Sequence, residues 1–116
     1  MKELKDTVNG MLSSDWKERL VAEIEQADIR RYKLAEHMTK IGEDSPEYSL
    51  LMSQLGHMND YISDLTARAV AFDIKFELPS IKAAVESGIK NDDTSNCMFW
   101  ALLIMFMMAN GFGKEE

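Results

Sequence analysis

The chain has 116 residues and a formal net charge of −7, from 20 acidic and 13 basic side chains. This length allows one domain with a modest core, and the acidic balance argues against a surface that tracks long nucleic acid. The single cysteine, Cys97, excludes an internal disulfide and suits a reducing compartment, while the N-terminus lacks the apolar region of a secretory signal. We therefore expect a cytoplasmic protein.

The first part of the chain predicts a short helix followed by a long one. The short helix would bury one apolar face, formed by Leu4, Val8 and Met11. Asn9-Gly10 is typical of a helix end. Asp15 is then expected to cap a helix that runs to about Ile41, with Glu18 completing a capping box.

A second long helix carries the clearest apolar pattern. Gly42–Pro46 predicts a short connection in which Ser45 caps the helix and Pro46 takes its first position. The apolar seam comprises Leu51, Leu55, Met58, Ile62, Leu65, Ala69, Phe72 and Phe76. Leu78-Pro79 should stop or kink this helix. At roughly 45 Å it is longer than one partner helix can bury, so we expect self-association.

The C-terminal third predicts a weak helix and then a fully apolar run. Ile81, Val85 and Ile89 suggest the weak helix, interrupted by Gly88, and a polar linker follows over 91–96. The run 97–109 would be about 20 Å long as a helix, short of the roughly 30 Å hydrocarbon core. Burial within an oligomer is the preferred interpretation; membrane insertion or surface association and a free tail are the alternatives.

These elements predict an all-α protein: a long antiparallel helix pair with a short N-terminal helix and an apolar C-terminal helix, assembled as an oligomer. Residues 1–90 would form the ligand-binding and oligomerisation domain. Residues 97–110 would form the apolar helix, either as part of the same domain or as a membrane-associating tail.

A stripe of polar side chains, which we call the basic rib, follows one edge of the first long helix. Its members are Arg19, Gln26, Arg30, Lys33, His37 and Lys40. Glu23 is the one acid among them, and Trp16 lies on the border with the apolar face. The apolar face is expected to hold Leu20, Ile24, Ala27, Leu34, Met38 and Ile41, and the acidic face Glu18, Glu25, Asp28 and Glu36. A solvated helix face is the simpler interpretation of the rib.

Arg31 occupies a position that the apolar pattern would assign to the core. A buried arginine is costly unless it is paired, so we expect a partner carboxylate or a ligand phosphate. The alternative is an arginine at the edge of the seam whose guanidinium reaches water.

The second long helix offers a matching stripe at intervals of seven residues, namely Gln54, Tyr61, Arg68 and Lys75. If the helices pack antiparallel, or meet a second copy, the two stripes would converge on one cleft with Trp16. Cationic groups can pair with phosphates, and an aromatic face can stack on a base for roughly 1–3 kcal/mol. Such a cleft suits a small nucleotide, although Trp16 and Tyr61 also suit ordinary packing.

The residues of an enzyme active site are not recognisable in the sequence. His37 and His57 are isolated, without cysteines or carboxylates at metal-ligand spacing, and the glycines do not form a phosphate-binding loop. We therefore expect binding without catalysis, with no metal and no cofactor.

Two segments give the chain a family resemblance. They are Asp15-Trp-Lys-Glu-Arg-Leu20 with Glu23 and Tyr32-Lys-Leu34, and then Leu51, Gln54, Met58, Tyr61, Leu65 and Arg68 at their spacing. Over about residues 13–75 this pattern is similar to the phage anti-CBASS cyclic-nucleotide sponges and their uncharacterised phage relatives.

The resemblance implies an oligomer, commonly a hexamer, that captures cyclic di- or trinucleotide messengers between subunits in the host cytoplasm. By position in the motifs, Lys33 would hold phosphate, Arg68 would serve another site between protomers, and Trp16 would stack on a base. Together with the two stripes, this gives the predicted ligand-binding set Trp16, Arg19, Arg30, Arg31, Lys33, Tyr61 and Arg68.

Two other functions compete with this one. The acidic face could instead engage a basic host factor, in which case the protein would be an inhibitor that binds protein and not nucleotide. Alternatively, the run 97–109 could make the chain a membrane-associated accessory protein of the phage.

Overall fold

The computed structural model describes residues 1–86 of the chain, and their side chains as far as residue 84. A 3₁₀ turn at Leu4–Thr7 leads into α1 (Val8–Met11), followed by α2 (Trp16–Ile41), α3 (Tyr48–Ala71) and α4 (Pro79–Glu86). Within residues 1–86 there is no strand, and α2 packs along α3 in an antiparallel pair. The predicted all-α fold with two long helices is confirmed.

The N-terminal segment lies against α2. Lys2 forms an ion pair with Glu25 at 2.9 Å, and the Gln26 side-chain amide donates to the Thr7 hydroxyl at 3.4 Å. At Gly10 an added Cβ would stand 2.8 Å from the Cβ of Ala22, so α1 can approach α2 this closely only with glycine at that position.

The predicted short helix is present, but its apolar face is incompletely buried. Leu4 and Met11 are half-buried, whereas Val8 is exposed. The segment is therefore held on α2 by polar contacts and close backbone packing as well as by apolar side chains.

Asp15 caps α2, as the sequence predicted. Its carboxylate accepts from the backbone N–H of Lys17 at 3.0 Å, which satisfies a donor of the first turn. The predicted capping box is wrong, because the Glu18 carboxylate accepts instead from the Ser13 hydroxyl at 2.6 Å. Ser13 in turn accepts from the Asp15 N–H at 3.0 Å, so this residue links the connection to the first turn of α2.

The connection between the long helices ends two residues later than predicted. Gly42 closes α2 with φ of +80°, a backbone conformation that glycine adopts without strain. Ser45 Oγ accepts from the Glu47 N–H at 3.2 Å, as a cap would. Pro46 nevertheless lies in the turn, and α3 begins only at Tyr48.

The predicted end of the second long helix is wrong. α3 stops at Ala71, because Asp73 has φ of +58° and the Ile74 N–H returns to the Ala69 carbonyl at 2.8 Å. Pro79 does not end a helix but begins α4, where the first turn tolerates its missing N–H.

The irregular stretch between α3 and α4 packs against the core of the helix pair. Leu20, Ile24, Leu65 and Ala69 form the buried cluster, and Ala27, Ile74, Phe76 and Leu78 pack against it. Ile74, Phe76 and Leu78 are half-buried there, so each contributes part of the about 1.5–3 kcal/mol that complete burial of an apolar side chain gives. Phe76, predicted as part of a helical seam, thus reaches the core from a stretch without helix, and Phe72 of the same predicted seam is exposed.

Most of the predicted apolar face of α2 is confirmed. Leu20, Ile24 and Met38 are buried, and Ala27, Leu34 and Ile41 are half-buried. The prediction missed three buried residues, namely Ala22, Ile29 and Ala35. The prediction for Asp28 is wrong. It was placed on the solvated acidic face, but it is fully buried, and Arg31 and Ser80 donate hydrogen bonds to it.

Several predictions fall outside the described residues. These are Gly88 and Ile89 of the weak third helix, the linker 91–96, Cys97, and the apolar run 97–109 with its domain bounds 97–110. α4 confirms the start of the weak helix. Of the helices within residues 1–86, none is long and apolar enough to cross a membrane.

Candidate functional site

Three contacts join one edge of α2 to one edge of α3. The Trp16 and Phe72 rings meet edge to face, with centroids 5.4 Å apart and planes at 86°. The Tyr61 hydroxyl donates to the Glu23 carboxylate, and His37 Nε2 lies 3.9 Å from a Glu47 carboxylate oxygen. We call the surface that these contacts follow the α2/α3 edge.

The basic rib, apart from Gln26, which bonds to the N-terminal segment, runs beside this edge. Arg19, Arg30 and Lys33 follow Trp16 and Glu23 at helical spacing, and all three cations are exposed. Arg19 Nη1 donates to the Ser13 carbonyl at 2.8 Å, which ties its guanidinium to the start of α2. Arg19, Arg30 and Lys33 are therefore exposed cations on the side of α2 that carries Trp16 and Glu23.

The stripe on α3 meets the same edge. Three of its residues are exposed on one face of α3, namely Gln54, Tyr61 and Arg68. The Tyr61 hydroxyl reaches α2. Lys75 is also exposed, but it lies beyond the end of α3 and does not continue the helical stripe. Of this stripe, Tyr61 contacts α2 directly, and Gln54 and Arg68 lie seven residues before and after it on the same face of α3.

Cationic side chains form two groups along the α2/α3 edge. The first group lies near Trp16 and consists of Arg19 and Arg68. Arg19 is one turn from Trp16, and Arg68 lies one turn before Phe72, which Trp16 contacts. Arg30 and Lys33 lie 11 and 14 residues beyond Arg19, which is about 16 and 21 Å along the helix axis. A single copy therefore presents two separated cationic groups.

Aromatic side chains at the edge are partly available to a ligand. Trp16 is 38% exposed and Tyr61 48% exposed, although one packs on Phe72 and the other bonds to Glu23. Leu50, 70% exposed, and Phe72, 58% exposed, add apolar surface along the same side of α3. This mixture of cations, rings and exposed apolar groups can hold an anionic aromatic ligand or contact another copy.

Arg31 does not belong to the exposed edge. Only 2% of it is accessible, and its guanidinium pairs with Asp28 and donates to Asn59 Oδ1 at 2.7 Å. The expectation that a buried arginine would need a carboxylate partner is confirmed. Both terminal nitrogens of Arg31 are therefore bonded inside the protein, whereas the adjacent Arg30 is exposed.

Asp28 connects this pair to α4. Its Oδ2 accepts from the Ser80 N–H at 2.7 Å, and its Oδ1 accepts from the Ser80 hydroxyl at 2.8 Å. The structure thus assembles Asp28, Arg31, Asn59 and Ser80 into what we call the buried polar cluster. Sequence reasoning missed three of these residues, although Asp28 lies one helical turn before Arg31, a spacing typical of ion pairs.

Glu23 is a further edge residue whose role the sequence left open. It is the acid within the rib, and its half-buried side chain accepts from Tyr61. Its carboxylate joins α2 to α3 through this hydrogen bond, and its negative charge lies on the same side of α2 as Arg19 and Arg30.

The described part of the chain offers binding groups and not the parts of a metal centre. Among residues 1–86, His, Cys, Asp and Glu side chains form no group of three that could hold a metal ion. Tyr32, on α2, has its pKa raised above the ordinary value of 10.0 by burial and then by the nearby charge of Glu36. It is therefore protonated at neutral pH and is not activated as a base or nucleophile.

Comparison with known proteins gives one match. The family model Sequestin matches residues 14–71, half of the 116-residue chain. This range begins just before α2, ends with α3, and includes the predicted ligand-binding residues from Trp16 to Arg68. Searches of curated proteins and of solved structures gave no match. The resemblance seen over residues 13–75 is therefore confirmed, and the chain belongs to the Sequestin family, whose name indicates proteins that sequester a partner molecule.

Proposed function

We propose that this protein captures cyclic di- or trinucleotide immune messengers of the host and holds them without cleavage. It would act as a phage counter-defence protein in the host cytoplasm, lowering the free messenger below the level that its effector requires. Family membership supports the sequestering role. The chemistry of the α2/α3 edge supports the choice of an anionic, base-containing ligand.

The position of Tyr61 and Arg68 on α3, beside the basic rib of α2, is the observation that carries this proposal. Tyr61 bonding to Glu23, and Trp16 packing on Phe72, hold the stripes of α2 and α3 side by side. Exposed guanidinium and ammonium groups beside partly exposed rings match the two parts of a nucleotide, its phosphate and its base.

Each edge residue has a distinct role in the proposal. Lys33 and Arg30 pair with phosphate in one group, while Arg68 and Arg19 form the second, at the Trp16 end. Trp16 and Tyr61 cover the bases. Arg31 does not contact the ligand in this arrangement, because its guanidinium is buried. It instead joins α2 to α3 through its hydrogen bond to Asn59.

Assembly of several copies, as in a hexamer, completes the site. One copy separates Arg30 and Lys33 from Arg19 by about 16 Å or more, so a compact ligand with two phosphates needs cations from a second copy. Leu50 and Phe72 are exposed beside the cations and provide apolar surface for such a contact. The ligand would then be shared by symmetry-related groups.

The acidic-inhibitor alternative has less support. It requires a continuous acidic face, yet Asp28 is buried and Glu25 is paired with Lys2, while Glu18 accepts from Ser13. Of the four acids assigned to that face, Glu18 and Glu36 are exposed, and neither forms an ion pair among the described residues. The membrane alternative depends on residues 97–109, outside the described part.

Calorimetry with a panel of cyclic di- and trinucleotides tests the proposal. We expect saturable binding of at least one member, with linear dinucleotides of the same bases as the control for cyclic geometry. Light scattering with and without ligand reports the oligomer, which should contain several copies. A protein that binds no member, but forms a stable complex with a host protein, would favour the acidic inhibitor.

A further inference from the structure

We infer that the buried polar cluster determines the register of α2 against α3, and thereby positions the ligand-binding edge. This inference rests on the proposed function for its consequence, but its structural part can be tested without any ligand. The cluster lies at the middle of the helix pair, and Asp28, Arg31 and Asn59 are each at most 2% exposed.

Apolar packing alone leaves the register ambiguous, because the core residues repeat every seven positions. The series are Leu20, Ala27, Leu34 and Ile41 on α2, and Leu55, Ile62 and Ala69 on α3. Sliding one helix by seven residues, about 10 Å, would again place apolar side chains opposite apolar side chains. The hydrophobic effect is non-directional and separates such registers poorly.

The buried polar cluster breaks this repeat. Arg31 stands in the same heptad series as Ile24 and Met38, both buried and apolar, so its charge occurs once along the core face. Its partner on α3, Asn59, accepts at 2.7 Å. A shift by seven residues would leave the guanidinium without that acceptor in the core, and burying an unsatisfied charged group is strongly unfavourable.

The pattern of hydrogen bonds favours specificity over stability as the cluster's role. Asp28 has both oxygens engaged, but Arg31 Nε and Asn59 Nδ2 are buried with no partner among the described residues. Leaving donors unsatisfied reduces the stability gained from a buried polar group. Residues of this kind are best attested as devices that specify one register.

Register matters to the proposed site because the edge contacts are local. Tyr61 lies two residues from Asn59, and Arg30 is adjacent to Arg31. Displacing α3 by about 10 Å would separate Tyr61 from Glu23 and Phe72 from Trp16. Tyr61 and Arg68 would then lie beside other residues of the basic rib, so the cluster positions the site without touching the ligand.

The test compares the native chain with the triple variant Asp28→Asn/Arg31→Met/Asn59→Leu. This variant removes both charges and the cross-helix hydrogen bond, while the side-chain amide oxygen introduced at position 28 still accepts from the Ser80 N–H. Spin labels on Glu36→Cys and Asp64→Cys, exposed sites on α2 and α3, report register in a Cys97→Ser background. Dilution with unlabelled protein removes distances between copies.

We expect the native chain to give one narrow label distance. The triple variant should keep its helical content and thermal midpoint but give two or more distances, and its nucleotide affinity should fall at least tenfold. One narrow distance at the native value in the triple variant would overturn the inference. If that variant unfolds, the single variant Asn59→Leu provides the test, because it keeps the ion pair between Asp28 and Arg31 and removes only the bond to α3. One narrow label distance at the native value in Asn59→Leu would also overturn the inference.

Failure of the proposed function would look different. A native chain with one narrow distance and no affinity for any cyclic nucleotide would contradict the proposed ligand. The register result would still stand or fall on the variants' distances, because those are measured without ligand.

Discussion

Tyr61 donates its hydroxyl to Glu23 across the α2/α3 edge, so the one acid of the basic rib is tied to the other helix. This contact joins the two helices through an acid that lies one to two helical turns from the cations Arg19 and Arg30. If the proposed ligand binds beside these cations, the charge of Glu23 should change its affinity, and this effect can be measured.

Replacing Glu23 with Gln should strengthen nucleotide binding. The change removes a negative charge beside Arg19 and Arg30 while keeping an acceptor for Tyr61, so an anionic ligand loses a repulsive interaction. We expect a several-fold rise in affinity by calorimetry, greatest at low salt. Glu36→Gln, on a different face of α2, is the matched control; an equal rise there would mean that only net charge matters.

Lys33→Ala and Arg68→Ala should each weaken binding about tenfold or more, because a hydrogen bond to a charged group contributes roughly 1.5–3 kcal/mol. Both side chains are exposed, so the thermal midpoint should hardly change. Lys17→Ala, an exposed lysine off the rib, is the control. Normal affinity in both edge variants would remove these cations from the site.

Trp16 should report base stacking through its fluorescence. In a Trp100→Phe background Trp16 is the remaining tryptophan, and its ring is 38% exposed beside Phe72. Saturation with the cyclic nucleotide should quench its emission, whereas a base-free phosphate diester should not. Emission that stays constant through a calorimetrically verified titration would place the base elsewhere.

Asp15→Ala should destabilise the fold by about 1 kcal/mol, since the carboxylate satisfies the Lys17 N–H at the start of α2. Chemical denaturation measures this loss. Ser14→Ala, at an exposed neighbouring position, should stay within about 0.5 kcal/mol of the native chain. Similar losses in both variants would argue against capping by Asp15.

Tyr32 should make the fold sensitive to alkali. Burial raises the pKa of its hydroxyl, and Glu36 adds to the effect, so the folded state holds this proton more tightly than the unfolded chain does. The resulting stability is complete below about pH 10 and is lost as the pH rises through the raised pKa. Tyr32→Phe should flatten the alkaline part of the stability curve. An unchanged slope would exclude this residue.

Helical periodicity predicted the two long helices and the rib because it depends only on local spacing. The sequence also predicted that α2 is capped by Asp15 and ends near Ile41, because capping residues act within one helical turn. The periodicity did not predict where α3 ends. That end depends on the left-handed backbone conformation of Asp73 and on the packing of Ile74 against the core.

The burial of Asp28 was beyond local reasoning for a different reason. An acid on a helix is normally solvated, and the hydrogen bonds that make this one tolerable come partly from Ser80, 52 residues away. Arg31 was recognised as unusual because it interrupts an apolar series. Asn59 interrupts the core of α3 in the same way and could have been paired with it on that basis.

Capture without cleavage is most directly tested by mixing the protein with a cyclic dinucleotide and separating free from bound ligand by ultrafiltration. We predict that free ligand falls in proportion to added protein, and that denaturation releases the same cyclic molecule intact by mass spectrometry. Free ligand that stays constant for every cyclic di- and trinucleotide tried, or the release of a linear product, would contradict the account.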